Sequence, residues 1–185
     1  MSHPNLLTQQ NAALVVIDIQ EGFRPIIADF EKIAERAARM MRGCQILGVP
    51  VFVTEQYPKG LGSTAAEIMG SFDDSTDVFN KTTFSSCGAE SFVAKLTDNG
   101  IKQVMICGLE THICVNQTAH DLLQSGFQVH VLRDCVTSRF EYNRLAGLAK
   151  MLSSGVIESS IEMALFELMR DAKHEKFKEI QSLIK

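Results

Sequence analysis

Cys114 lies in the stretch Cys107–Gln117, CGLETHICVNQ, where an apolar run ending at Cys107 gives way to helical spacing from Val115 to Leu123. If Thr111 caps that helix, Cys114 falls in its first turn, where unpaired N–H groups and the helix dipole lower a thiol pKa and sharpen a nucleophile. Asp18 ends the apolar run Ala12–Ile17, a place where a carboxylate is costly unless paired or useful; by itself it reads equally well as a turn residue. Lys81 follows the weak run Val78-Phe79, and on its own would read as a solvated surface lysine. Together a thiol, a carboxylate and an ammonium would supply the nucleophile, base and electrostatic partner of acyl transfer. The backbone N–H groups of Glu110 and Cys114 would face the oxyanion if the turn over residues 108–111 is tight.

Those residues need a frame that gathers them. Short Val- and Ile-rich runs alternate with longer helical spacing, as buried parallel strands and covering helices do. The runs at 12–17, 49–53, 104–107, 127–132 and 155–157 predict strands, with a sixth, weak one near 78–79. Helices are expected at 29–47, 91–97, 112–124, 140–153, 160–169 and 174–184. Gly48, Gly100 and Gly126 stand where helices should end before the next strand. The order predicts one α/β domain over 1–185, a doubly wound α/β/α sandwich with a mainly parallel six-stranded sheet. Ligands of such sheets bind beyond the carboxyl ends of the strands, where Asp18, Lys81 and Cys114 fall. The segment Glu55–Asp77 has no clear periodicity, and a loop that long is usually functional or mobile.

The chain has 185 residues, 45% hydrophobic and 22% charged, and a formal net charge of -4. That balance advertises no surface for nucleic acid or anionic lipid and leaves small molecules as the expected partners. The start carries neither a secretory nor a transit pattern, and no apolar run would span a bilayer, so a soluble cytoplasmic protein is the default. Five scattered cysteines form neither a disulfide framework nor a zinc-finger spacing. Each is core filler or a reactive thiol.

Asp18 in VVIDIQEGF, Lys81 in NKTTFSS and Cys114 in GLETHICV resemble, in order and context, the Asp/Lys/Cys triad of the isochorismatase-like cysteine hydrolases. The resemblance runs from Ala12 to about Met169. It implies that Cys114 attacks, Asp18 accepts its proton and Lys81 holds the pair in register. It further implies a non-proline cis peptide between Leu109 and Glu110 that turns the Glu110 N–H toward the oxyanion. Nicotinamidases of the family carry an Asp-x-His metal motif after the second strand; here that place reads Thr54-Glu55-Gln56-Tyr57-Pro58, which implies no catalytic metal and argues against nicotinamide. The cysteine favours an acyl-enzyme route over vinyl-ether hydrolysis of isochorismate, and TEQYPKGLG is most similar to uncharacterised isochorismatase-domain proteins.

Gln20, Phe23, Tyr57, Phe84 and Ile113 fall within or beside these motifs and are the candidate lining of a small apolar pocket. His112 is a rival base, better read as a cap or surface group; Cys44, Cys107 and Cys135 read as packing. The expected activity is metal-independent, cofactor-free hydrolysis of a small amide, ureide or related acyl compound through a Cys114 thioester. Its alternative is a catalytically silent ligand-binding or scaffold protein. A dinucleotide-dependent oxidoreductase would need a glycine-rich turn where the chain has Asp18-Ile19-Gln20-Glu21-Gly22. Apolar helix surface at 34–41 and 163–169 suggests a homo-oligomer.

Overall fold

A computed structural model describes residues 3–185. Six strands, β1 (Ala12–Ile17), β2 (Val51–Gln56), β3 (Asp77–Lys81), β4 (Gln103–Gly108), β5 (Gln128–Val136) and β6 (Ile157–Ser159), form one sheet in the order β3-β2-β1-β4-β5-β6. All five pairings are parallel, so helices must return the chain across the faces. These are α1 (Phe30–Ile46), the short α2 (Pro58–Leu61) and α3 (Ala66–Met69), α4 (Phe92–Asp98), α5 (Asn116–Gln124), α6 (Glu141–Ser153), α7 (Ile161–Met169) and α8 (Phe177–Ile184). The doubly wound α/β/α architecture expected from the alternation is the one observed.

The pleat divides the core in two. Leu14 and Val16 of β1 pack with Phe30, Ile33 and Met41 of α1 and Leu165 of α7, while Ala13, Val15 and Ile17 meet Phe92 of α4, Leu122 of α5 and Met151 of α6. Both faces of β1 are therefore dry, which explains its unbroken apolar run. Gly48, Gly100 and Gly126 take positive φ after their helices, the conformation that glycine adopts without penalty.

Strand order reverses between β1 and β4, and the crevice at that reversal lies beyond Ile17 and Gly108. The segment after β2 is not a free loop. Its short helices α2 and α3 are joined to the residues after β1 by Glu21 N→Ser63 O at 3.0 Å and Ala65 N→Ile19 O at 2.8 Å. Arg24 adds ion pairs to Glu21, Glu31 and Glu67 and lies over the Phe30 ring. β5 runs four residues past the expected Leu132, with a register shift opposite Cys107. Arg133, Asp134 and Cys135 consequently belong to the strand rather than to a loop after it.

Candidate active site

Asp18 leaves β1 with φ +53, a left-handed conformation that is strained for a residue with a side chain. Its carboxylate is fully buried and divided between two donors. Thr54 Oγ1 donates to Oδ1 at 2.7 Å, and Lys81 Nζ donates to Oδ2 at 2.5 Å. The lysine side chain is equally dry. Lys81 Nζ also reaches Gln56 Oε1 at 2.9 Å, Phe84 O at 3.0 Å and Thr83 O at 3.3 Å. So many acceptors satisfy an ammonium that burial would otherwise penalise. The sixth-strand signal near Val78-Phe79 was thus sound, and the lysine after it is not a solvated one.

Cys114 is buried close enough to Asp18 that the thiol and the carboxyl shift one another's titration. The local structure is a π-helical turn over Thr111–Val115, marked by Val115 N→Glu110 O at 3.3 Å, which runs into α5. Such wide turns concentrate at functional sites. Thr111 does not cap it: Glu110 holds the capping position, and Thr111 Oγ1 is buried with no hydrogen-bond partner among the described residues. The expected lowering of the thiol pKa is also overturned. Burial first, and the facing Asp18 carboxylate second, push Cys114 up to about 12 against the opposing pull of Lys81. Burial likewise raises Asp18, countered by Lys81 and Thr54. At neutral pH the sulfur is therefore a thiol that needs a base, and the adjacent carboxyl is a stronger base than a solvated one.

The expected cis peptide at Leu109–Glu110 is absent, as every peptide bond among the described residues is trans. Sharpness comes one residue earlier. Gly108 has φ +129, and a Cβ there would lie 2.0 Å from Ile17 O, so the chain turns at the sheet surface through the residue that has no side chain. Glu110, almost fully buried, then accepts from Arg139 N at 3.0 Å and Arg139 Nε at 3.1 Å, tying the turn to the loop after β5. His112 Nδ1 pairs with Ser138 Oγ at 3.0 Å, so it fastens the same two segments.

The five residues expected to line a pocket separate. Tyr57 and Phe84 are 55% and 54% exposed near Lys81, and Tyr57 joins Pro58, Lys59, Asn80, Lys81, Thr82 and Gly88 around an open depression of about 470 Å³. Phe23 and Ile113 are half-buried, each against one of the two cores. Gln20 is corrected: it is fully buried, its amide spent on Gln56 O, Gly62 O and Gln56 N, so it holds the loop rather than a substrate. Sequence reading missed Ser86 and Thr118 altogether and gave Thr54 no role. Thr118 was detectable as a polar residue four positions after Cys114, on the buried stripe with Val115, Ala119 and Leu122. Among the described residues no three His, Cys, Asp or Glu side chains converge to hold a metal ion.

Comparison with known proteins agrees with this frame. The Isochorismatase domain family matches residues 12–162. Isochorismatase domain-containing protein 2 of Danio rerio is 41% identical over 179 residues, covering 96% of this chain and 89% of the relative. Among solved structures, MAR1 Ribonuclease from Caenorhabditis elegans superposes with a TM-score of 0.91 at 37% identity, covering 97% of this chain and 92% of that one. The YcaC gene product of Escherichia coli, described as an octameric hydrolase of unknown specificity, has a TM-score of 0.90 at 22% identity, covering 100% and 91%; it supports the fold alone. By its matched domain, its relatives and its sheet, the chain belongs to the isochorismatase family.

Proposed function

We propose that this protein is a hydrolase that opens a small amide, ureide or related acyl compound through a thioester on Cys114. The carrying observation is the buried Asp18 carboxylate, with Lys81 on one oxygen, Thr54 on the other and the Cys114 thiol against it. In this reading the sulfur attacks the carbonyl carbon as its proton passes to Asp18. This reading assigns the oxyanion to the Glu110 and Cys114 N–H groups, gathered by the sharp turn at Gly108 in place of a cis peptide. The C–N bond breaks, and the leaving nitrogen takes the proton from Asp18. Water then gives a proton to Asp18 and attacks the thioester, and the acid leaves as Cys114 recovers its hydrogen. This reading puts the substrate entrance at Tyr57 and Phe84, the two exposed aromatic side chains beside Lys81.

The nematode neighbour is named a ribonuclease. A formal net charge of -4 and a site lysine already neutralised by Asp18 favour a small uncharged substrate here over a polyanion. A single 1–185 domain acting in the cytoplasm as a homo-oligomer completes the proposal; no described helix is long and apolar enough to cross a membrane.

Iodoacetamide labelling of each cysteine, followed by peptide mass spectrometry at neutral pH, tests the chemistry. Cys87 is half-buried and its thiol stands at about 11, whereas Cys114 is buried and stands at about 12. Burial is the larger cause of the Cys114 shift and survives loss of Asp18, and Cys87 is the more accessible sulfur, so without a base Cys114 would lag. The proposal expects Cys114 to react first in the wild type and to fall behind Cys87 in Asp18→Asn. Equal lag in both proteins would remove the nucleophile. An amide and ureide panel, with an RNA substrate beside it, then separates the substrate classes.

A further inference from the structure

Four side chains with no solvent exposure form a line through the interior: Asp18 after β1, Thr54 on β2, Ser86 after β3, and Thr118 on α5. Thr54 Oγ1 lies 2.7 Å from Asp18 Oδ1, Ser86 Oγ lies 3.4 Å from Thr54 Oγ1, and Thr118 Oγ1 lies 3.2 Å from Ser86 Oγ. Ser86 N closes the far end by donating to Thr118 Oγ1 at 2.8 Å. We propose that the hydroxyls of Thr118, Ser86 and Thr54 are positioning residues of the catalytic apparatus, a one-way hydrogen-bonded chain that aims donors at Asp18 and fixes the base relative to the helix of Cys114. The proposal rests on the reading of Asp18 as base and Cys114 as nucleophile.

Proton counting sets the direction. A carboxylate only accepts, so the single Thr54 hydrogen points at Asp18. Thr54 Oγ1 can then only accept from Ser86, and the Ser86 hydrogen is committed to Thr54. Ser86 Oγ in turn accepts from Thr118, whose own oxygen is fed by the Ser86 N–H. Every hydrogen thus points toward Asp18, and such aligned bonds polarise one another in a dry interior. Three hydroxyls at apolar positions would be a cost without this use, since valine has the shape of threonine and avoids the desolvation. Thr118 lies four residues after Cys114, hence one turn along the same helical face. A shift of α5 would pull on the chain, and the chain holds it through two bonds to Ser86. Lys81 on β3 and Cys114 before α5 are the ionisable groups that face Asp18, and Glu110, paired with Arg139, adds its charge at Cys114.

The test is the pH dependence of Cys114 alkylation, whose acid limb reports the proton shared by Asp18 and Cys114. Loss of one donor to the carboxylate disfavours its charged form, so Thr54→Val should move the limb up by ~1 pH unit. Ser86→Ala and Thr118→Val should move it the same way by less, while Thr54→Ser and Thr118→Ser should keep the wild-type profile. A hydroxyl that merely packs would leave the limb in place. If Thr54→Val fails to fold, Ser86→Ala against Thr118→Ser carries the comparison. An unmoved limb in folded Thr54→Val and Ser86→Ala overturns the proposal while Asp18→Asn still abolishes the limb. An Asp18→Asn profile identical to wild type instead overturns the base assignment, and the chain's catalytic role with it.

Discussion

Glu110 retains 4% of its surface yet carries a charge two residues after β4. It contributes to the upward pressure on the Cys114 thiol, and its own oxygen is held by the backbone and side chain of Arg139. Arg139→Ala keeps the backbone bond and removes the cation. Because Arg139 is half exposed, the loss should be modest, ~1 kcal/mol in urea unfolding. Alkylation of Cys114 should slow as well, since a less compensated carboxylate beside the turn disfavours the developing thiolate; an unchanged rate would show that the pair only fastens the loop. The types and order of Asp18, Lys81 and Cys114 were legible in the sequence through the family resemblance, since alone Lys81, the last residue of β3, reads as a surface lysine. The direction of the thiol pKa was not. A helix start lowers it and burial raises it, and only the fold shows that Cys114 is sealed against a carboxylate. Ser86 escaped notice for a related reason: in TFSSCG it looks like any loop serine until Thr118 is brought against it.

Between α6 and the turn of Cys114 the fit leaves no room for a methyl group. A Cβ at Gly147 would stand 2.8 Å from His112 Cα and 2.9 Å from Thr111 O. On an exposed helix face Gly→Ala gains ~1 kcal/mol; here the sign should reverse. Gly147→Ala should cost ~1 to 3 kcal/mol in thermal or urea unfolding. It should also displace the π-helical turn, so that Cys114 labelling falls while Cys87 labelling is unchanged. A stabilised variant with wild-type labelling would mean that α6 shifts without carrying the turn. The sequence showed α6 as a helix of the right length but not its contact, because spacing names a buried face and says nothing of what lies opposite. The same limit hid α2 and α3: four-residue helices are too short for a 3.6-residue period to register. The strands fared better, since burial on both faces writes itself as continuous Val and Ile in β1 and β4.

Helical spacing also cannot distinguish a face that covers the sheet from one that meets another subunit. Of the two stretches expected to join copies of the chain, Ala34, Ala37, Met40 and Met41 of α1 are buried against the sheet, so those four side chains do not face a neighbouring copy. From the other stretch Met163 does reach the surface, beside a cleft of about 580 Å³ that it shares with Glu141 and Arg144 of α6. Flanking Glu141, Phe140 and Tyr142 are 52% and 68% exposed, their rings stacked 5.5 Å apart at 6°. The cleft brings Arg36, Arg133 and Arg144 together with Asp29, Asp134 and Glu158. Mixed charge around an apolar stack suits a surface that meets its own copy, since a twofold axis sets each sign opposite the other. Light scattering should therefore give a wild-type mass that is a multiple of 20.5 kDa, and Phe140→Ser combined with Tyr142→Ser should lower it. Neither residue touches the Asp18 cluster, so Cys114 labelling in the double variant reports whether the site is complete within one chain. A wild type that scatters at 20.5 kDa, or a double variant that keeps the assembled mass, would remove this surface from the assembly.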